Sequence, residues 1–243
     1  RLGHLVAIGR VEGALIDWRS TGGDPRQVRL LAQAGWDADR TSDALMASDV
    51  RLATSLLLPL HEQSNGRSGF VAARFPAGTE AGDARRRAGE LVRQVNRPNL
   101  VIGFACDANG LQAARQALSD GQRTLITSVV SFDGLSRALE ACAEGLLARA
   151  GDSNVPACPL CLVVFDPALI VARVEEQLRD HAAPAGRRSE RAAALAGRTR
   201  NVLLHLALAQ VGAAQAQVGE AGSIGLIAMT TCGEIGLPGG ESM

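Results

Sequence analysis

The chain contains no lysine, and all 25 basic side chains among its 243 residues are arginine. Arginine stays protonated in proteins, whereas a lysine can lose its proton in a desolvated site and condense with a ketone. A mechanism in which a side-chain amine forms a Schiff base is therefore excluded for this chain.

Tyrosine is also absent, aromatic residues make up 3% of the sequence, and the formal net charge is zero. Because no charge of one sign is in excess, no field over the whole molecule attracts nucleic acid or an anionic membrane, and we expect neither partner. Arginine, proline or glycine interrupts every apolar run before it reaches the roughly 20 residues that cross a bilayer. No membrane-spanning segment is predicted.

Cysteine is sparse, and its five copies are spread along the chain. An odd number of scattered cysteines predicts reduced thiols and a cytoplasmic protein. Cys158 and Cys161 form a C-P-L-C pair, but with no second pair and no nearby histidine they do not predict a zinc site. We expect no metal and no cofactor.

The apolar pattern predicts alternating strands and helices in a single domain spanning residues 1–243. Strands are predicted at 69–75, 99–105, 123–131, 161–165 and 224–230. Helices are predicted at 2–16, 25–34, 41–61, 79–95, 108–119, 135–149, 168–181 and 198–218, and an exposed Pro/Gly/Arg-rich loop at 182–191. Short alternating elements without a glycine-rich phosphate motif favour an α/β fold of the (β/α) barrel type.

Four motifs carry a resemblance to a known family. They are S-D-V-R-L-A-T-S-L-L-L-P-L-H-E at 48–62, G-R-S-G-F-V at 66–71, N-R-P-N-L-V-I at 96–102, and N-G-L at 109–111 with S-D-G-Q at 119–122. The order and spacing of these motifs resemble those of the transaldolases. The resemblance extends from about Trp36 to Leu147 and is weaker in the residues that follow. The resemblance implies a (β/α)8 TIM barrel of the class I aldolase type and a place in carbohydrate metabolism. The family's first strand would lie upstream of Arg1 and its T-S-N-P strand is not found, so we expect an incomplete barrel or missing N-terminal strands.

Transaldolases transfer a three-carbon unit between sugar phosphates through a lysine imine, and this chain departs from the residues that the family uses. Gly103 stands at the position of the imine lysine, and Arg74 stands where the family carries a glutamate. Where the family has N-x-T, this chain has Leu125-Ile-Thr127, so that only the threonine matches; Ser131 matches a family serine. The segment 165–170 supplies neither the serine nor the arginine expected for a substrate phosphate. The chain is therefore not expected to be a functional transaldolase.

The candidate site consists of Gly103, Arg74, Asp107, Thr127 and Ser131, which are expected near the C-terminal mouth of the barrel. Gly103 has two interpretations. It is either a glycine that the strand tolerates, or it marks a pocket that opened when the lysine side chain was lost and that admits a different ligand. Arg74 would either clamp a carboxylate or phosphate or pair with Asp107, and Asp107 would cap the helix that follows it.

Two functional hypotheses follow from the resemblance and its departures. The first is a transaldolase-like pseudoenzyme that acts as a partner, scaffold or regulatory subunit, bound to another protein or to copies of itself. The second is a repurposed barrel enzyme that acts on a sugar-like or keto-acid ligand in a specialised biosynthetic pathway without imine chemistry.

Overall fold

A computed structural model describes residues 13–18, 25–150, 160–166, 170–172, 176 and 185–228. Six strands form one sheet in which every neighbouring pair is parallel and the spatial order follows the chain order. The strands are β1 (Gly13–Asp17), β2 (Phe70–Arg74), β3 (Leu100–Ala105), β4 (Thr124–Val129), β5 (Leu160–Phe165) and β6 (Ser223–Ala228).

Helices connect the strands. They are α1 (Pro25–Gln33), α2 (Ala38–Gln63), α3 (Ala81–Val95), α4 (Ala108–Ser119), α5 (Phe132–Ala150) and α6 (Ala185–Val218). None of these helices is both long and apolar enough to span a membrane.

The strand order explains the layered core. Each crossover advances one place in the same direction, and because parallel crossovers are right-handed, the helices lie on one face of the sheet. The main core lies between the sheet and these helices, and a second cluster on the opposite face buries Phe70, Ala72, Val101, Leu125 and Leu162. This is the arrangement of a partial (β/α)8 barrel, and the predicted fold class is confirmed.

The predicted helix at 2–16 is wrong where the structure describes it. Gly13–Asp17 forms β1, which pairs with β2 from Gly13–Phe70 to Asp17–Arg74. The A-L-I-D segment is too short for its periodicity to separate a helix from a strand. A strand with the sequence G-A-L-I-D is therefore present beside β2, while residues 1–12 and 19–24 lie outside the described part.

The predicted loop at 182–191 is also wrong from residue 185 onward. Residues 185–191 belong to α6, which is 34 residues long. Alanine, arginine and glutamate are strong helix formers and outweigh the single Gly186 in this turn. Residues 182–184 lie outside the described part, as does most of the predicted helix at 168–181, of which 170–172 and 176 are helical.

Two of the five cysteines, predicted as reduced thiols, lie against each other in the core. Cys142 of α5 and Cys161 of β5 have their Cα atoms 6.4 Å apart, a separation that a disulfide can span. Both side chains are fully buried between the sheet and α5. Cys158 lies outside the described residues.

Candidate functional site

A cavity of about 340 Å³ opens at the C-terminal ends of β1 to β4. It is lined by Asp17, Arg74, Phe75, Pro76, Ala77, Ala105, Thr127 and Ser128. Parallel strands present their C-terminal ends to one edge of the sheet, which is where barrel proteins bind ligands. We refer to this space as the mouth cavity.

Arg74 is held at the mouth by Asp17. The two residues are register partners on β2 and β1, and their side chains form a two-point ion pair: Nη2 donates to Oδ2 at 2.8 Å, and Nε donates to Oδ1. Such bidentate pairs fix the guanidinium plane. The predicted pairing of Arg74 with Asp107 is therefore wrong.

Gly103 lies beside Arg74 in the next strand, as its register partner. A Cβ atom at position 103 would lie 3.1 Å from both Cα and Cβ of Arg74 and 3.3 Å from its Cγ. The space beside Gly103, the position that the resemblance assigns to the imine lysine, is thus taken by the stem of Arg74. Gly103 does not line the mouth cavity, which lies nearer to the strand ends.

Asp107 acts on the backbone instead of on the cavity. Its Oδ1 accepts a hydrogen bond from the Gly110 amide at 2.7 Å and caps α4, as predicted. Its Oδ2 accepts from the Gly78 amide at 2.9 Å, which ties the loop after β2 to α4.

The two predicted hydroxyl residues occupy different places. Thr127 lines the mouth cavity and is buried, with its hydroxyl donating to the Phe104 carbonyl at 3.2 Å. Ser131 is not a lining residue; its Oγ accepts from the Gly134 amide at 3.0 Å at the start of α5. The structure thus brings Arg74 and Thr127 to the cavity, whereas Asp107 and Ser131 stabilise helix starts.

Sequence reasoning missed Ser128, which lines the cavity with a left-handed backbone, φ 62°. A non-glycine residue rarely adopts this conformation. The register between β4 and β5 shifts between Ile126 and Val129, so Ser128 sits in an irregularity that turns its side chain toward solvent. Its hydroxyl makes no hydrogen bond with another residue in the described ranges. No local sequence signal identifies it.

Asp17 was also missed, because the segment was assigned to a helix. An acidic residue directly after a short apolar run is the one signal that could have placed it at a strand end.

Cys106 follows β3 but is not a reactive thiolate. Its Sγ lies 3.4 Å from the Gly134 carbonyl, to which it donates, and burial raises the pKa of the thiol. A protonated thiol is a weak nucleophile. Among the described histidines, His61 is buried with Nδ1 2.9 Å from the Ser68 carbonyl, and His205 lies exposed on α6, so neither reaches the mouth.

Among the described residues, three carboxylates lie at or just after the C-terminal ends of the strands. Asp17, Asp107 and Asp166 follow or end β1, β3 and β5, and Arg74 is the cavity-lining cation, already paired with Asp17. In the described ranges no group of three or more metal-binding side chains could hold a metal ion. The arrangement offers hydrogen bonds to a ligand but presents no amine to a carbonyl.

Comparison with curated proteins finds several similar transaldolases. The chain is 35% identical over 130 residues to a transaldolase of Acidothermus cellulolyticus, a match that covers 47% of this chain and 34% of that protein. Transaldolases of Mycobacterium ulcerans and Thermobifida fusca are each 32% identical, over 122 and 124 residues, covering 49% of this chain and 33% of each relative.

The matched part of the chain spans about a third of the length of these relatives. No family model matches the sequence. The predicted relationship is nevertheless confirmed by several relatives at this level of identity, over the half of the chain that aligns with them. The chain is related to the transaldolase family.

Proposed function

We propose that this chain is a transaldolase-like pseudoenzyme, which keeps the family's barrel architecture without Schiff-base chemistry and acts as a partner, scaffold or regulatory subunit. The observation that carries this proposal is the arrangement of Arg74 and Gly103. The lysine position has no side chain, and the stem of Arg74 lies against it.

The residues at the site support this proposal chemically. An imine requires a neutral amine that attacks a carbonyl, and arginine does not supply one. The neighbouring glutamate position also carries Arg74, which stays protonated and cannot shuttle a proton as a carboxylate can. Asp17 holds this arginine in place through two hydrogen bonds. The arginine is therefore part of a defined ion pair at this site.

A role in association is supported by apolar side chains on two helices. Leu52 and Leu56 of α2 are 64% and 70% exposed, and Val202 and Leu206 of α6 are 56% and 52% exposed. In each pair the residues are four positions apart and share a helix face. Exposed apolar groups that share a face are typical of protein contacts.

Borohydride trapping tests the loss of imine chemistry. The protein would be incubated with a ketose phosphate and sodium borohydride, and intact and peptide masses measured. We expect no adduct on any side chain. An adduct mapped to a side chain of the native sequence would overturn the proposal.

The matched controls restore the family residues. Gly103→Lys supplies the amine beside the native Arg74, and the double variant Arg74→Glu, Gly103→Lys supplies both family residues. We expect trapping in the double variant above that in the single variant, because the glutamate removes the neighbouring positive charge and supplies a carboxylate that can shuttle a proton. This comparison also verifies that the assay detects an imine on this scaffold.

A second candidate function is a repurposed barrel enzyme that acts on a sugar-like or keto-acid substrate. The mouth cavity favours the sugar-like substrate of the two, since the ion-paired Arg74 and the strained Ser128 both line that space. Turnover of a sugar or keto acid, lost in Arg74→Met with the fold intact, would favour this function over the first.

The cytoplasmic location stays a prediction. The reduced-thiol argument behind it depends on whether the neighbouring Cys142 and Cys161 are oxidised, because disulfides are rare in reducing compartments. Fractionation of cells that produce the protein, with mass analysis of these two cysteines, tests it.

A further inference from the structure

The mouth cavity is large enough for a small molecule, and its polar groups are few and convergent. Its volume of about 340 Å³ is within the lower range of ligand sites. We propose that it binds an uncharged ligand with adjacent hydroxyl groups, a polyol, and that Ser128 contacts this ligand directly. This inference goes beyond the proposed loss of imine chemistry and does not depend on it.

The hydrogen-bonding groups at the cavity fit adjacent hydroxyls. A guanidinium has five N–H donors, and Asp17 takes two of those on Arg74, which leaves three. The Ser128 hydroxyl can both donate and accept, and it bonds to no other residue in the described ranges. A hydroxyl of the ligand could accept from Arg74 while its neighbour donates to Ser128.

The charges at the cavity disfavour an anionic ligand. Arg74 is already neutralised by the Asp17 carboxylate through two hydrogen bonds. The Asp17 carboxylate lines the same cavity. A phosphate ester or a keto acid would therefore meet this carboxylate beside the arginine and gain no net charge attraction from the pair, whereas an uncharged polyol needs none.

The remaining lining is apolar and suits the C–H face of such a ligand. Phe75, Pro76, Ala77 and Ala105 line the cavity beside the polar groups. A polyol presents hydroxyls and C–H groups side by side, so that one ligand can contact both kinds of lining.

The backbone conformation of Ser128 indicates a role in binding, because glycine would serve the fold better at this position. Its left-handed conformation is strained for serine, and glycine would adopt it without cost. Strained residues and strand irregularities recur at ligand sites, where they aim a side chain. Ser128 combines both features at a residue that lines the cavity.

The ligand class is tested by titration of the full chain with ribitol, ribitol phosphate and pyruvate, monitored by calorimetry and by protein NMR shifts. We expect saturable binding of ribitol, at least about tenfold weaker binding of the phosphate ester, and no binding of pyruvate. No ribitol binding, or tighter binding of either anion, would overturn the inference. Those outcomes leave the borohydride result unchanged, so that the two proposals fail separately.

Two variants test Ser128. Ser128→Ala removes the hydroxyl and keeps the backbone strain, while Ser128→Gly removes both, and Ser136→Ala on the exposed face of α5 is the control. Loss of one hydrogen bond predicts about fivefold weaker ribitol binding in both Ser128 variants and no change in the control. Glycine fits the left-handed backbone at position 128, so we expect Ser128→Gly to fold normally. Weaker ribitol binding by this variant would therefore not result from misfolding. Unchanged affinity in both Ser128 variants would show that the hydroxyl does not contact the ligand.

Discussion

At the scale of single residues, the two positions at which the resemblance predicts a departure from the family lie in contact. Gly103 and Arg74 are register partners, and the arginine stem packs where a side chain at 103 would begin. The family motifs predicted both substitutions but not their contact, since a motif gives positions along the chain and the contact crosses between strands.

Replacing Gly103 by alanine tests this packing. The new Cβ would lie 3.1 Å from the Arg74 Cα, a backbone atom held by strand pairing on both sides. Overpacking of this kind costs about 1–3 kcal/mol, which outweighs the roughly 0.5–1 kcal/mol that alanine gains over glycine in a strand. We expect a lower free energy of unfolding by urea denaturation. A Gly103→Ala variant more stable than the native chain would contradict the packing described here.

Ser128 and Ser136 make a matched pair for backbone strain. Ser128 is left-handed, whereas Ser136 lies within α5. We expect Ser128→Gly to raise the free energy of unfolding by about 0.5–1 kcal/mol through relief of strain, and Ser136→Gly to lower it by a few tenths through reduced helix propensity. Thermal and urea unfolding measure both. Changes of the same sign in the two variants would contradict the assigned conformation of Ser128.

Cys106 carries a pH-dependent prediction. Burial raises the pKa of its thiol above the ordinary value of 9.0, so the folded protein holds this proton more tightly than the unfolded chain does. Its contribution to stability is therefore fully present below about pH 9 and is lost as the pH rises through the folded value. We expect iodoacetamide labelling of Cys106, followed by peptide mass analysis, to lag behind that of a free cysteine peptide at pH 8–9. Equal rates would show an unperturbed thiol.

At the scale of elements, short apolar runs located five of the six strands, because parallel strands buried on both faces read as continuous apolar segments. The sixth, β1, was missed because its three-residue apolar core, Ala14–Ile16, fits either periodicity and its partner β2 lies more than 50 residues further along the chain. The start of α6 was missed for a related reason. Glycine and proline near 182–186 suggested a loop, whereas the helix formers that follow determine the conformation.

Two helix starts differ in how many backbone groups their caps satisfy. Asp107 accepts from two amides, Gly110 and Gly78, whereas Asp37 at the start of α2 accepts from the Arg40 amide. Loss of an N-cap costs about 1 kcal/mol. We expect Asp37→Ala to lose about that amount and Asp107→Ala to lose about 2 kcal/mol, since its second bond also joins two elements. Equal losses in urea unfolding would show that the bond to Gly78 contributes nothing.

At the scale of the whole molecule, the two apolar faces differ in their surroundings. Beside Leu52 and Leu56, α2 also exposes Arg51 and Glu62, so this face is mixed. On α6 the stretch 201–218 contains no acidic or arginine residue, and Asn201, Val202, His205, Leu206 and Ala209 are exposed together. A helix face on a monomer normally carries charge toward water, so the α6 face is the better candidate for contact with a second copy.

Self-association through α6 is therefore the expected behaviour of the purified chain. Sedimentation velocity over a concentration series should show a monomer–dimer equilibrium, with the paired helices related by a two-fold axis. Val202→Glu with Leu206→Glu should shift it to monomer, because each copy would place like charges against its partner. Leu52→Glu with Leu56→Glu is the control, which adds the same charge on α2 and should leave the equilibrium unchanged. A native chain that stays monomeric at every concentration, or dimers that survive the α6 substitutions, would remove α6 as the contact and leave the partner role dependent on another protein.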